Sequence, residues 1–284
     1  MRMMRKPSIL AGIACLLAIA AILSFETPTS AKLAANKLAA NKLSPLSAAS
    51  NSAAASKLAG SRLAIGQSGQ DLYSLNAESA SGFLASDDGR EVLSFVVSCA
   101  LPVEATVTTT LPDGTRYEFL GELGLAPEWL DHPLKKAGRG WVSACLFARL
   151  NNHDVPLPIS FRGPQQGLAT VPEELANWPL EEGAFYGDYF VAPGEQVQWI
   201  ACRGRDQAAG ETGGLVDRDC TEPDPANPGK TLCGLIYAGD CASPTAPVCD
   251  QVSPHDYYRK CRDQAGDDAH SDVFREVITV FAVD

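Results

Sequence analysis

Two short segments of the chain carry residue types that could do chemistry. The first is Glu181-Glu182-Gly183-Ala184-Phe185-Tyr186-Gly187-Asp188, three acids beside two aromatic rings with glycine on either side. Carboxylates next to aromatic platforms suit glycoside hydrolysis, in which one acid protonates the leaving oxygen and the other attacks or activates water. The same residues also describe a strand with an acidic entry and glycines at a bulge, and that reading is preferred. The second segment is His255-Asp256-Tyr257-Tyr258. A histidine beside a carboxylate can serve as a general base. Adjacency in sequence does not put the two groups in contact, and no Gly-x-Ser-x-Gly or other nucleophile signature accompanies them. An exposed loop is the expectation there.

Other candidate chemistry is weaker. Asp263 to Asp272 is rich in aspartate, but it lacks the EF-hand spacing and the closing glutamate of a calcium loop. Gly204, Gly210, Gly213 and Gly214 do not make a Gly-x-Gly-x-x-Gly run after a strand, so no dinucleotide site is implied. No cofactor is expected.

Cysteine carries the strongest signal. Setting aside Cys15, eight remain: Cys99, Cys145, Cys202, Cys220, Cys233, Cys241, Cys249 and Cys261. An even count in an exported chain reads as a disulfide framework. Structural zinc sites want pairs two to four residues apart. The closest spacing here is eight residues, Cys233 to Cys241 and Cys241 to Cys249, so no metal site is expected. Cys99 and Cys145 stand apart from the distal cluster. Each lies on an apolar segment and is flanked by small residues, Ser98 and Ala100 or Ser143 and Ala144. Small neighbours allow the close approach that bridging two helices requires. A Cys99–Cys145 bridge follows, with two buried free thiols as the bland alternative. Local pairs are expected in the distal cluster.

Several elements must position these residues. Ser86-Asp87-Asp88 is a helix N-cap signal before Arg90 to Leu101, and Pro102 ends the run. A helix over 89–101 follows, with a buried strand as the alternative. Leu111-Pro112-Asp113-Gly114-Thr115 is a turn whose chemistry is explicit, with Val107 to Leu111 and Thr115 to Leu120 as its strands. Pro127 to Leu130 reads as a short helical turn and 141–150 as a helix. Val155 to Phe161 alternates as a strand, and Pro156 and Pro158 assign it to a sheet edge. Ala184 to Val191 and Gln196 to Cys202 read as a second hairpin around Pro193-Gly194. Residues 202–262 hold little periodicity, so disulfides should define their shape. Glu276 to Val283, β-branched, should return to the sheet.

The N-terminal part reads as a targeting segment. Arg2, Arg5 and Lys6 precede an uncharged apolar run, Ile9 to Phe25, of 17 residues. That is the pattern of a secretory signal, and Thr29-Ser30-Ala31 offers cleavage after Ala31. An uncleaved membrane anchor is the alternative. Cys15 sits inside the apolar run and is part of the signal. Residues 32–71, with Lys32-Leu33-Ala34-Ala35-Asn36 repeated, read as a low-complexity linker, flexible or partly helical: Ala, Leu and Lys favour helix, but the five-residue period drifts around one. The folded domain is then 72–284. Cleavage would remove three of 23 basic and one of 34 acidic side chains, leaving a net charge of −13. Such a surface argues against nucleic acid or anionic lipid as a partner.

Ser98-Cys99-Ala100-Leu101-Pro102, Trp141-Val142-Ser143-Ala144-Cys145-Leu146, Ile159-Ser160-Phe161-Arg162-Gly163, Glu182-Gly183-Ala184-Phe185-Tyr186-Gly187 and Ala201-Cys202-Arg203-Gly204-Arg205 carry a resemblance. Over most of the chain after residue 85 they resemble a family of exported, cysteine-rich bacterial proteins of the myxobacterial type. The resemblance implies an exported location and a shared fold, and no activity, cofactor or catalytic residue. The expectation is an α+β domain in which two disulfide-linked helices pack on an antiparallel sheet, with a disulfide-rich lobe. The expectation for its function is a non-enzymatic extracytoplasmic binding or surface protein, its partner an extracellular or cell-surface ligand. A secreted hydrolase using acids among Glu181, Glu182 and Asp188 is the alternative, with His255 and Asp256 as further candidates.

Overall fold

The computed structural model describes residues 43–65, 72–153, 157–192, 194–210, 213–215, 218–250, 257–266 and 271–284. The targeting segment and the first part of the linker lie outside them.

The chain begins with α1, Pro45–Ala59, followed by the short strands β1, Ala64–Ile65, and β2, Leu72–Ser74. The helical part of the linker expectation is present at 45–59, but residues 43–65 are packed into the fold and do not hang free of it. Ala48, Asn51, Ala55 and Leu58 are buried at helical spacing, and Leu43 and Leu63 join the same core. The helix is held because its buried side chains are small. Neighbouring backbone comes so close that a Cβ on Gly82 would lie 2.5 Å from the Ala54 Cβ. Side-chain bonds from distant segments fix it as well, Trp129 Nε1 donating to Ser61 O at 3.1 Å and Tyr189 Oη to Ala48 O at 2.9 Å.

Helix α2, Ser81–Leu84, leads into α3, Asp87–Ala100. The Ser86 hydroxyl accepts from Gly89 N at 3.0 Å, the cap that the sequence announces. Val92, Leu93, Val96, Val97, Cys99 and Ala100 are buried, and Leu101-Pro102 ends the helix in extended backbone. The first predicted hairpin is β3, Thr106–Thr110, and β4, Arg116–Leu120. In its turn Asp113 Oδ1 accepts from Thr115 N at 2.9 Å, and Gly114 takes φ +89°. Strands β1 and β2 extend this hairpin into a four-stranded sheet in the order β1-β2-β3-β4.

After a 3₁₀ turn, Pro127–Leu130, comes α4, Lys136–Ala148, which starts five residues before and ends two residues before the 141–150 that the sequence predicts. Cys99 and Cys145 join α3 to α4 with Cα atoms 6.0 Å apart. Ser98, Ala100, Ser143 and Ala144 are all buried beside the bridge, the close approach expected of small neighbours.

Five strands form the second sheet: β5, Ile159–Arg162; β6, Leu180–Asp188; β7, Gln198–Arg203; β8, Ile236–Asp240; and β11, Ile278–Ala282. Their order is β5-β11-β6-β7-β8, which puts β5 at an edge, as its flanking prolines require, and the C-terminal strand in the interior. Between them lie two short helices, α5, Pro172–Asn177, and α6, Arg205–Ala209, and a small ribbon of β9, Cys261–Arg262, and β10, Val273–Phe274. The pairings are not all antiparallel. The β2–β3 and β7–β8 pairs are parallel, made possible by long crossovers, α2 and α3 in one case and residues 204–235 in the other.

The five-stranded sheet is buried on both faces. Phe185, Ala201, Ile278 and Val280 face the main core under α4. Ala184, Tyr186, Ile200, Cys202 and Val277 face a smaller core built with Cys241, Val248, Cys249, Tyr258 and Cys261. The cysteine-rich lobe therefore has a core of its own, contrary to the expectation that its bridges alone define it. Its sulfurs are themselves the apolar filling. The bridges are Cys202–Cys241, Cys220–Cys233 and Cys249–Cys261, of which the last two are local, separated by 13 and 12 residues. Four such bridges are the mark of an oxidising, extracytoplasmic environment. Among the described residues no helix is long and apolar enough to cross a membrane.

Candidate functional site

The acidic motif lies on β6, and the strand divides its acids. The register between β6 and β11 shifts at Val280/Phe281, opposite Gly183, which takes φ +154°. A Cβ on Gly183 would lie 2.2 Å from Cys202 O, so glycine is required there. This bulge sends the carboxylates of Glu181 and Glu182 to different partners.

Glu181 is fully buried and saturated. Arg205 grips Oε2 through Nε at 2.8 Å and Nη2 at 2.6 Å, and Tyr258 Oη donates to Oε1 at 2.7 Å. Burial, with the Glu181 carboxylate next, pushes the Tyr258 phenol well above its ordinary value. Two segments singled out in the sequence thus meet, through Glu181 and Tyr258, in a structural tie. Glu182 is also fully buried and is ion-paired to Arg218 Nε. Arg218 donates in turn to Ala148 O at the end of α4, and its guanidinium lies over the Phe185 ring at 5.5 Å. Burial pushes the Glu182 carboxyl up, against the pull of Arg218 and of the Cys220 backbone N–H.

Asp188 stands at the far end of β6. Six positions along an extended strand is about 20 Å from Glu182, whereas the paired acids of glycoside hydrolases sit roughly 5–10 Å apart. The three acids do not converge. His255 and Asp256 lie outside the described residues.

Asp188 opens instead onto a cleft of about 160 Å³ lined by Lys136, Gly140, Gly187, Asp188, Gln198, Asp272, Val273, Phe274 and Glu276. Four separate segments build it: the first turns of α4, the end of β6, the start of β7, and residues 272–276, which run through β10 toward β11. Gly140 lets α4 approach, since a Cβ there would lie 2.9 Å from the Glu276 side chain. Gly187, at φ +131°, lets β7 approach, since its Cβ would lie 1.8 Å from Gln198 O. Asp188 Oδ1 accepts from Phe190 N at 2.8 Å, and its Oδ2 lies 3.6 Å from Arg139 Nη2. Gln198 Nε2 donates to Asp272 Oδ2 at 3.4 Å. Among the described residues, neither the Lys136 ammonium nor the Glu276 carboxylate has a hydrogen-bond or ion-pair partner. Asp188, Asp272 and Glu276 face the Lys136 ammonium, and Asp188 is already paired with Arg139, so one carboxylate is left in excess and the cleft keeps a small net negative charge, with the Phe274 ring on its wall. Such a lining can hold a small cation by charge and by the face of the ring. Of its residues, Gly187 and Asp188 belong to the acidic motif singled out in the sequence. Asp272 closes the aspartate-rich stretch, and nothing local marks Lys136, Gln198 or Glu276.

Comparison with known proteins yields no match to a protein family, to a curated protein or to a solved structure.

Proposed function

We propose that the protein is an exported binding protein, secreted or held at the cell surface, that captures a small amine in the cleft beside Asp188. The single observation that carries this reading is the cleft itself, with Asp188, Asp272 and Glu276 around it and Glu276 unpaired. Its volume of about 160 Å³ is below the roughly 300–1,000 Å³ of sites for drug-sized ligands, which favours a small guest. Lys136 offers a place for an anionic group on the same ligand, so an amine that also bears a carboxylate fits best. The choice of a cation over a neutral sugar rests on the excess carboxylate, and the Phe274 ring can add a cation–π contact. The N-terminal charged and apolar pattern, the four bridges and the resemblance to exported myxobacterial-type proteins support export. Separation of the three acids of β6 removes the motive for a glycan-cleaving reading.

Calorimetry and thermal shift at low salt would test it, against diamines, small amino acids and neutral sugars. The expected result is binding of amines that raises the melting temperature and is lost in an Asp188→Asn, Glu276→Gln double variant. Binding of sugars alone would overturn the ligand class. Absence of any ligand response, or equal amine binding by the double variant, would overturn the site.

A further inference from the structure

Four sulfurs on the lobe side of the five-stranded sheet are packed as one group. Cys202 is on β7 and is bridged to Cys241, which follows β8. Cys249 and Cys261 face each other across an isolated antiparallel bridge, and Cys249 N donates to Cys241 O at 3.0 Å. The result is a contact between the two disulfides. Sγ of Cys202 and Sγ of Cys249, not bonded to each other, are 3.4 Å apart, and the sulfurs of Cys202, Cys241 and Cys249 lie within 4.8 Å of one another. All four residues are buried, with Cys249 alone above zero, at 3 %. Among the described residues, Cys99–Cys145 and Cys220–Cys233 have no such sulfur neighbour.

Disulfides exchange when a thiolate attacks one sulfur of a bridge and expels the other. We infer that these two bridges form a single exchange unit, in which a thiolate freed at Cys249 displaces Cys241 from Cys202. The electron pair on Cys249 Sγ forms the Cys202–Cys249 bond, the Cys202–Cys241 bond breaks, and Cys241 leaves as the thiolate. One disulfide and one thiolate stand on each side, so no oxidant is consumed. The charge stays inside the same buried group, so the step adds no new desolvated ion. In the intact protein the initiating thiolate comes from an external thiol. Its thiolate attacks Cys261 Sγ, remains there as a mixed disulfide, and releases Cys249. Burial means that this attack waits on local opening of the lobe. The lobe can then hold two connectivities, one of which leaves Cys241 reactive.

A Cys261→Ser variant of the full chain supplies the Cys249 thiol directly. After incubation at mildly alkaline pH, acid quenching, alkylation and peptide mapping, the expected result is label on Cys241 as well as Cys249, together with a Cys202–Cys249 linked peptide. Label on Cys249 alone, with Cys202–Cys241 intact, would overturn the inference. Should that variant not fold, the wild-type protein in a glutathione redox buffer serves instead. There the Cys202–Cys249 link should appear before any link to Cys99, Cys145, Cys220 or Cys233. Release of Cys249 without that link, or equal scrambling among the eight cysteines from Cys99 to Cys261, would refute it.

Discussion

Removing the Cys99–Cys145 bridge tests whether the α3–α4 contact is held by the crosslink or by its packing. The perturbation is the Cys99→Ala, Cys145→Ala double variant. The bridge spans a sequence separation of 46 residues, and closing a loop of that length removes about 4 kcal/mol of unfolded-chain entropy. Both cysteines are fully buried, so the lost sulfurs add a cavity cost on top. At roughly 2–4 °C per kcal/mol for a domain of this size, the melting temperature should fall by about 8–16 °C. Equilibrium denaturant unfolding followed by tryptophan fluorescence is a suitable assay, because Trp129 and Trp141 are both buried in the main core. The slope of free energy against denaturant should also rise, since the unfolded chain loses a crosslink and exposes more surface. A loss under about 1 kcal/mol with an unchanged slope would refute the reasoning, because the entropy estimate would then be too large by several-fold.

Three further outcomes follow. Leu58→Ala on α1 should cost about 2–5 kcal/mol, since Leu58 is fully buried; a neutral result in thermal or denaturant unfolding would return 43–65 to the status of a linker. The raised Glu182 carboxyl makes the folded state bind a proton that the unfolded state has already released. Its contribution is therefore complete below the ordinary carboxylate range and is lost as pH rises through the raised value. Relative to Glu182→Gln, the wild type should lose denaturant resistance as pH rises through that window, and an opposite slope would count against the burial of this acid. Tyr186, Tyr189 and Tyr258 are pushed up chiefly by burial, and Tyr237 to about 12. An alkaline absorbance titration should therefore leave four of the seven tyrosines un-ionised near pH 10, and ionisation of all seven with the fold intact would contradict their placement.

What the sequence discloses here is local. The Ser86 cap, the Pro112-Asp113-Gly114 turn and the small neighbours of Cys99 and Cys145 each act within a few residues, so α3, the first hairpin and one bridge are legible from neighbouring residues alone. The helix-favouring composition of α1 is legible too, but its packing is not, because its buried face is made of alanines, Ser47, Asn51 and Leu58, with almost no apolar contrast to its exposed face. What buries it is the close approach of Gly82 and the reach of Trp129 and Tyr189, contacts 28 to 141 positions distant for the residues concerned.

The acids of β6 follow the same rule with a sharper consequence. Read alone, Glu181 and Glu182 are reactive carboxylates. Their partners Arg205 and Arg218 lie 24 and 36 positions away, and Tyr258 lies 77 positions from Glu181. A strand with a packed core on each face has no open side, and a carboxylate on it must be paired or protonated to be tolerated. Glu181 takes the first course outright. Glu182 is paired as well, yet burial still shifts it toward the protonated form. Neither is open to a substrate, since both are fully buried. An acid on such a strand can meet a ligand only where the strand leaves the sheet, and on β6 that position is Asp188, half-buried at the mouth of the cleft. The chemistry that the motif suggests is therefore confined to its last residue, which finds its partners in Arg139 on α4 and in the Phe190 backbone just past the strand's end.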